Sequence, residues 1–282
     1  MQFFKHFWLG LKSYREAILF IHRNRWYWYF LIPAGLMLCI YKIGDLIRHH
    51  SVTSNFDNMN GIVWYLIQLM IEISIALLLM KFAKYLVVIL LSPLLSHLSQ
   101  KCEKKLTGNN YPFSMTLLID DVKRGLKIAV RNMMWEYFFF LILFVVSKFG
   151  WEDPASSPVF YLTFAIGFFY YAFSFIDYVN ERRRLDMDES IVFVRSHRGL
   201  AVAIGTVYSF LILVPVDLSA LFSFQKIALD PLNGIPNFLF QLVLWLCASI
   251  APILAIVAAT ISMHKLVDLR KNSHVIKKGN DS

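Results

Sequence analysis

The sequence predicts an all-α integral membrane protein, and three observations support this prediction. Of its 282 residues, 57% are hydrophobic and only 17% are charged, whereas charged residues make up about 25% of a typical soluble domain. The apolar residues form runs long enough to cross a bilayer, which takes roughly 20 residues per helix. The basic residues are concentrated in alternate connections between these runs.

The N-terminal residues 1–25 predict a basic amphipathic helix that lies in the membrane interface. Five Lys/Arg fall in this stretch, and apolar side chains recur every three or four positions between Phe4 and Ile18, a pattern typical of interfacial helices. The aromatic cluster 26–29 then suits the headgroup region, where the chain would enter the bilayer. Since no small-residue cleavage site follows, a secretory signal peptide is not expected.

Residues 26–262 predict one helical membrane domain with about six apolar segments, namely 26–47, 62–80 with an extension to about 98, 132–149, 159–177, 200–222 and 236–262. Two helices, 62–98 and 111–149, are expected to be unusually long. A helix over 62–98 would measure roughly 54 Å, against a hydrocarbon thickness of about 30 Å. Two long helices packed antiparallel to each other would explain both of these long apolar segments. A polar, basic C-terminal tail, 263–282, follows.

The distribution of basic residues predicts the orientation of the chain. The N-terminus, the connections 97–131 and 177–199, and the tail from Met263 contain 22 Lys/Arg, whereas the other three loops contain only Arg48 and Lys226. Because Lys and Arg are retained in cytoplasmic loops, we expect a multi-pass protein with both termini in the cytoplasm. A nucleic-acid surface would need these residues on one continuous face, so no nucleic-acid partner is expected.

Two acidic residues inside apolar segments are candidates for lining a pathway. Glu72 lies near the middle of its segment, and Asp217 follows Pro215 by two residues. A charge in the bilayer is costly unless it is paired or neutral, and a proline frees carbonyl groups that commonly line transporter sites. Alternatively, Glu72 hydrogen-bonds to another helix, and Asp217 marks a hairpin apex or a simple kink. Pro93 and Pro252 are the other two expected helix breaks.

Several short motifs follow one another in a definite order. They are Ser92-Pro93-Leu94-Leu95 before Leu106-Thr107-Gly108, Asp177-Tyr178, Phe193-Val194-Arg195, Ile204-Gly205 before Pro215, and Ala251-Pro252 before Ala258-Ala259-Thr260. Their order and spacing resemble those of the CysZ sulfate permeases, whose domain is shared with the etoposide-induced-protein family. The resemblance covers residues 14–108 and 119–262. About 25 residues around 223–249 look inserted relative to the family.

The resemblance implies a fold and a function. The fold would have two long membrane-crossing helices and helical hairpins that enter the bilayer only part-way, whereas hydropathy alone predicts six full spans; both alternatives stay open. The function would be passage of sulfate, or another small inorganic oxyanion, across the bacterial cytoplasmic (inner) membrane. Because two long helices alone enclose little space, a homo-oligomer embedded in the lipid bilayer is expected.

Arginines are the candidate anion-binding residues. The family carries an anion-linked arginine near its N-terminus, and here His22-Arg23-Asn24-Arg25 occupies that position. A guanidinium can donate two hydrogen bonds to a tetrahedral oxyanion, so Arg23, Arg25 and also Arg195 are candidates. The alternative is that Arg23 and Arg25 only fix orientation. For 182–184 and for Arg195, interleaved with nearby acids, a self-neutralising cytoplasmic loop is the favoured interpretation.

Enzymatic chemistry is not expected. The sequence contains no Walker-type glycine loop, His-Glu-x-x-His, metal-spaced cysteine pair or Gly-x-Ser-x-Gly. Cys39 and Cys247 lie in apolar runs, so neither a disulfide framework nor a metal site is predicted, and no cofactor is expected. The competing hypothesis is a non-transporting membrane protein of the same family, with a role in envelope organisation or assembly.

Overall fold

The computed structural model describes residues 2–50, 89–110, 115–152, 156–212, 216–222 and 228–271. Within these ranges there are eight α-helices: α1 (Gln2–Asn24), α2 (Leu31–His50), α3 (Ser92–Thr107), α4 (Met115–Gly150), α5 (Leu162–Arg182), α6 (Met187–Ser196), α7 (Arg198–Ile212) and α8 (Pro231–Val267). Short 3₁₀ helices occupy Trp26–Phe30, Leu218–Leu221 and Leu269–Lys271. No strand occurs in the described ranges, in agreement with the predicted all-α class.

Three of the described helices are long and apolar enough to cross a membrane: α4 from Val122 to Gly150, α5 and α8. The 36 residues of α4 confirm the long helix that was predicted over 111–149. The apolar second half of α4 is largely exposed; Phe149, for example, is 89% exposed. An apolar surface of this length is stable in lipid rather than in water.

One predicted feature differs from the structure, and another stays a prediction. The described part of α7 has 15 residues and reaches Ile212, where the described range ends. A full span over 200–222 and a segment that enters the bilayer part-way therefore both remain predictions. The break predicted at Pro252 is wrong, because this residue is buried inside α8, which continues without interruption for 37 residues.

Pro93, another predicted helix break, lies at the beginning of a helix. A turn at Leu91 precedes α3, and Pro93 lies in the first turn of that helix, where its missing amide hydrogen costs no helical hydrogen bond. Most of the predicted long segment 62–98 lies outside the described residues, as does Pro215.

Specific side chains fix the ends of the helices around the connection between α5 and α7. Asp186 caps α6 by accepting a 2.7 Å hydrogen bond from the amide of Glu189, whose carboxylate accepts a 2.9 Å bond from the amide of Asp186. This reciprocal capping box satisfies two amides that would otherwise lack partners. At the end of α3, Gly108 adopts φ +82°, and its amide donates to the Lys104 carbonyl at 2.9 Å, a common helix stop.

The core lies where α8 packs against α1, α3, α5 and α7. The buried residues of α8 are concentrated between Ala248 and Met263. The α1 helix contributes Tyr14 to this core, and its hydroxyl donates a 2.7 Å hydrogen bond to the carbonyl of Ile204 in α7. The opposite side of α1 exposes large apolar residues such as Phe4 and Trp8. One face of the predicted interfacial helix is therefore attached to protein, and the other is available to lipid.

The α7 helix packs closely against both α1 and α5. A Cβ atom on Gly199 would lie 2.1 Å from the carbonyl oxygen of Phe3 in α1, and one on Gly205 would lie 1.6 Å from the carbonyl oxygen of Phe168 in α5. At these distances only the hydrogen of a glycine fits between the helices. The two glycines therefore set how closely α7 approaches α1 and α5.

Candidate functional site

The structure places Arg23 and Arg25 at the junction between α1 and the first 3₁₀ helix. Both side chains are exposed. Arg25 has φ +55°, a left-handed conformation that is uncommon for a residue other than glycine, and its amide donates to the His22 carbonyl at 3.1 Å. The described residues provide neither arginine with a salt bridge.

Asp217 is exposed and caps the second 3₁₀ helix. Its carboxylate accepts a 2.9 Å hydrogen bond from the amide of Ser219, and its own amide donates to the Gln241 side chain of α8 at 2.8 Å. Glu72, the other candidate acid, lies outside the described residues. The alternatives given for Asp217, a hairpin apex or a kink, stay predictions.

The candidate residues are not gathered into one site. Arg195 lies at the end of α6, just before α7 begins, whereas Asp217 lies beyond the other end of α7. His197, two residues after Arg195, contacts His6 in the first turns of α1, with ring centroids 4.9 Å apart. Arg23 is at the far end of α1, roughly 25 Å further along this helix at 1.5 Å per residue. The predicted arginines and acid therefore occupy separate places.

A buried ion pair joins α4 to α5. The Arg124 guanidinium donates from Nε and Nη2 to the two carboxylate oxygens of Asp177, at 3.0 and 2.9 Å. Ser190 of α6 donates a further 2.6 Å bond to the same carboxylate. Asp177 is 3% exposed, so this bidentate geometry compensates for the loss of hydration. The pair holds the beginning of α6 against α4 and α5.

A second buried ion pair joins α3 to the end of α5. The Nε of Arg182 donates to Glu103 at 2.8 Å, and one Nη donates to Ser99 at 2.7 Å. Ser99 also hydrogen-bonds to Thr260 of α8 at 2.7 Å. The interpretation of 182–184 as a self-neutralising loop is thus wrong for Arg182, whose partner is 79 residues away in sequence.

A third arginine lacks such a partner. Arg131 of α4 is half-buried; its guanidinium lies over the Phe173 ring, 4.7 Å from the centroid, and Nη2 donates to the Asn132 side chain at 2.9 Å. Within the described part of the chain it forms no salt bridge, and its buried Nε has no hydrogen-bond partner. A buried charged donor without an acceptor is unfavourable. A bound oxyanion would supply the hydrogen-bond acceptor that Nε of Arg131 lacks in the described structure.

Other charged groups act electrostatically on Arg131. The positive charge of the exposed Arg195 acts on both Arg131 and Tyr170, and the carboxylates of Asp177 and Asp188 act on Arg131 with the opposite sign. Asn132 is fully buried and donates a 3.2 Å hydrogen bond to the Tyr170 carbonyl, which fixes its side chain against α5. We refer to Arg131, Asn132, Tyr170 and Arg195 as the arginine site. The positive charges of Arg131 and Arg195 repel each other, and a bound anion would reduce that repulsion.

Sequence reasoning identified Arg195 as a candidate and missed Arg131. Arg131 was counted among the topology-setting cations of the 97–131 connection. A local signal in the sequence could have identified Arg131. Arg131 and Asn132 are the last two polar residues before the apolar run, and Glu136 lies inside that run. Glu136 accepts a 2.7 Å hydrogen bond from the Tyr171 hydroxyl. A charged group inside an apolar helix is by default a functional candidate.

A metal centre receives no support from the described residues, in which no group of three or more His, Cys, Asp or Glu is suitably placed to hold an ion. The described cysteines are free, and Cys102 is buried. Burial raises the pKa of the Cys102 thiol, which makes it a poor nucleophile or ligand at neutral pH.

Fold and site together define an all-α membrane protein with apolar helices long enough to span, buried arginine–carboxylate pairs and a half-buried Arg131 that forms no salt bridge within the described ranges. The family model described as "Sulfate transporter CysZ/Etoposide-induced protein 2.4" matches residues 13–223. The chain belongs to this family, as its motifs indicated. The match ends before α8 begins. Comparison with curated proteins found no match, and comparison with solved structures found none.

Proposed function

We propose that this protein is a permease that passes sulfate, or another small oxyanion, across the bacterial cytoplasmic membrane, and that the anion contacts the arginine site. The observation that carries the proposal is Arg131, a half-buried guanidinium whose Nε has no hydrogen-bond partner in the described structure and on which the positive charge of Arg195 also acts. The family description names a sulfate transporter, which supports the same chemistry. A guanidinium fork matches tetrahedral oxyanions in geometry and charge.

Arg131→Gln is expected to reduce radiolabelled sulfate uptake into liposomes that contain the purified protein. A hydrogen bond to a charged group contributes about 1.5–3 kcal/mol, which corresponds to roughly a tenfold to hundredfold loss of affinity at the site. We therefore expect at least a tenfold drop in the initial rate of uptake at low sulfate concentration. Arg15→Gln, which removes an exposed arginine of α1, is the matched control and should transport like the wild type.

Parallel variants decide between the candidate arginines. Arg195→Gln should lower uptake, as Arg131→Gln does. Arg23→Ala/Arg25→Ala tests the position equivalent to the family's anion-linked arginine. Unchanged uptake in Arg131→Gln would remove this residue from the proposal. Uptake by the wild type at the rate of empty liposomes would reject sulfate transport altogether.

The second candidate function is a non-transporting role in envelope organisation or assembly. The observation that favours it is the separation of Arg23, Arg195 and Asp217 in the structure, together with the local hydrogen bonds that occupy Asp217. Under this hypothesis the arginine site is a structural feature, and neither sulfate nor a related oxyanion would pass. The liposome experiment separates the two functions directly.

We propose in addition that both termini are cytoplasmic in a multi-pass protein. The uneven distribution of Lys and Arg between alternate connections supports this orientation. Single cysteines introduced at positions 57 and 197 in cells should react with an impermeant maleimide from opposite sides, the first from outside and the second only after lysis. Labelling of both from the same side would contradict the orientation.

A homo-oligomer is the expected functional form. The exposed apolar surface of α4 and of the first half of α8, where Leu232 is 87% exposed, provides area for lipid or for a second copy. Native mass spectrometry of the detergent-solubilised protein should show the dimer or a higher species. A monomer alone at all concentrations would argue against it.

A further inference from the structure

A basic groove lies between α1 and the C-terminal end of α8, separate from the arginine site. It has a cavity volume of about 440 Å³ and is lined by Lys5, His6, Trp8, Leu9, Lys12, Lys265 and Leu266. Three of these residues are lysines, and a volume of this size is within the usual range for small-ligand sites, about 300–1,000 Å³. The groove is a candidate for an anionic ligand.

The charge of the groove is positive and only partly compensated. Lys265 forms an ion pair with Glu16, whereas Lys5 and Lys12 form no salt bridge with any residue that the structure describes. Burial, His197 and Lys5 together lower the pKa of His6, so this imidazole is neutral at pH 7 and the positive charge comes from the lysines. A ligand that carries one negative charge would be complementary.

The position of the groove indicates what kind of anion it binds. Lys265 and Leu266 lie in the last turn of α8, which is one of the candidate membrane spans. The ends of a span are where lipid headgroups lie. Lys265 and the two α1 lysines are therefore placed at headgroup depth if α8 crosses the bilayer.

The surface beside the groove is apolar. Trp8 lines the groove and is 58% exposed, with the Lys12 ammonium 5.7 Å from its ring centroid. Phe4, one turn before Trp8, is 75% exposed, and Ile18 and Leu19 continue the exposed apolar side of α1. This arrangement is complementary to a phospholipid. The lysines would contact the phosphate, and the indole and the exposed apolar side of α1 would contact the acyl chains. A free inorganic anion would gain nothing from the apolar surface.

We propose that this groove binds the headgroup phosphate of an anionic phospholipid, with Lys5 and Lys12 as its principal ligands and Trp8 as the contact to the glycerol and acyl region. The bound lipid would fix α1, and through the contacts of α1 with α7 it would stabilise the helix that follows Arg195. This proposal requires only that the protein lies in a membrane and is independent of sulfate transport.

The test is native mass spectrometry of the full-length protein, titrated in detergent with dioleoylphosphatidylglycerol or, separately, with dioleoylphosphatidylcholine. The wild type should retain phosphatidylglycerol preferentially. Lys5→Gln/Lys12→Gln should weaken that binding about tenfold or more, since each lysine near an anionic lipid surface contributes a few-fold in affinity. Lys104→Gln/Lys105→Gln, which removes two exposed lysines at the end of α3, is the charge-matched control and should bind like the wild type.

Three results would overturn the proposal: equal retention of the two lipids, equal loss in both double variants, or displacement of phosphatidylglycerol by millimolar inorganic phosphate or sulfate. The last would indicate a free-anion site instead of a lipid site. Trp8→Ala distinguishes the same alternatives, because it should weaken lipid binding and leave inorganic anion binding unchanged. All variants change exposed side chains, and an unchanged size-exclusion profile verifies that each protein is folded.

Discussion

Gly205→Ala is expected to destabilise the protein by about 3 kcal/mol or more, at or above the upper end of the usual cost of overpacking. The added Cβ would lie 1.6 Å from the carbonyl oxygen of Phe168 and 2.5 Å from its carbonyl carbon. Both atoms belong to the backbone of α5, so no side-chain rotation can relieve the contact. One of the two helices must move.

Such a movement is opposed on another face of α7. Gly199 approaches the Phe3 carbonyl of α1 so closely that its own Cβ would lie 2.1 Å away, and Tyr14 of α1 is hydrogen-bonded to Ile204. Moving α7 away from α5 would therefore disturb its contact with α1. It would also separate Tyr208 from Phe175, whose ring centroids are 4.9 Å apart in the core.

The measurement is thermal unfolding of the purified protein in detergent, followed by circular dichroism and size exclusion. A loss of 3 kcal/mol should lower Tm on the order of 10 °C for a chain of this size. Gly35→Ala in α2 is the matched control, because nothing lies within 4 Å of the added Cβ. It should be neutral or stabilise by about 0.5–1 kcal/mol. Equal melting of the two variants would show that α5 and α7 are further apart than described.

The sequence predicted the features that depend on transfer of side chains into lipid. The all-α class and the long helix α4 follow from runs of apolar residues, because hydropathy measures the cost of leaving hydrocarbon. The continuity of α8 through Pro252 was not predicted. The cost of a proline in a helix is offset here by packing, because Pro252 is one of the buried residues of α8.

Part of the site was accessible from the sequence, and part was not. The motif Asp177-Tyr178 was recognised by resemblance, but its role became clear only when Arg124, 53 residues earlier, was found bound to it. Arg182 and Glu103 are likewise distant in sequence. The count of basic residues treats every cation in a connection alike. Tertiary structure divides them into exposed charges, buried ion pairs and Arg131, which forms no salt bridge with the described residues. That division requires the crossing of α3, α4 and α5.

Glu103→Gln is the second substitution with a large expected effect. Glu103 is fully buried, and the side chain of Arg182 is 7% exposed, so removal of the carboxylate charge leaves a guanidinium with little access to solvent. Breaking a buried pair by changing one partner costs about 3–5 kcal/mol. The loss should affect several helices, since Arg182 also donates to Ser99, which in turn bonds to Thr260 of α8. Thermal unfolding in detergent measures it.

The exposed pair of Lys265 and Glu16 supplies the control for this substitution. Their side chains are 39% and 42% exposed, and an ion pair in contact with solvent contributes only about 0–1 kcal/mol. Glu16→Gln should therefore melt within a few degrees of the wild type, whereas Glu103→Gln should melt far below it. Glu103→Leu/Arg182→Met, which removes both charges, should recover much of the loss, because the cost comes from the uncompensated charge. If Glu103→Gln and Glu16→Gln melt together, or if the double variant is less stable than Glu103→Gln, then Arg182 reaches water and its pairing with Glu103 does not hold α3 to α5.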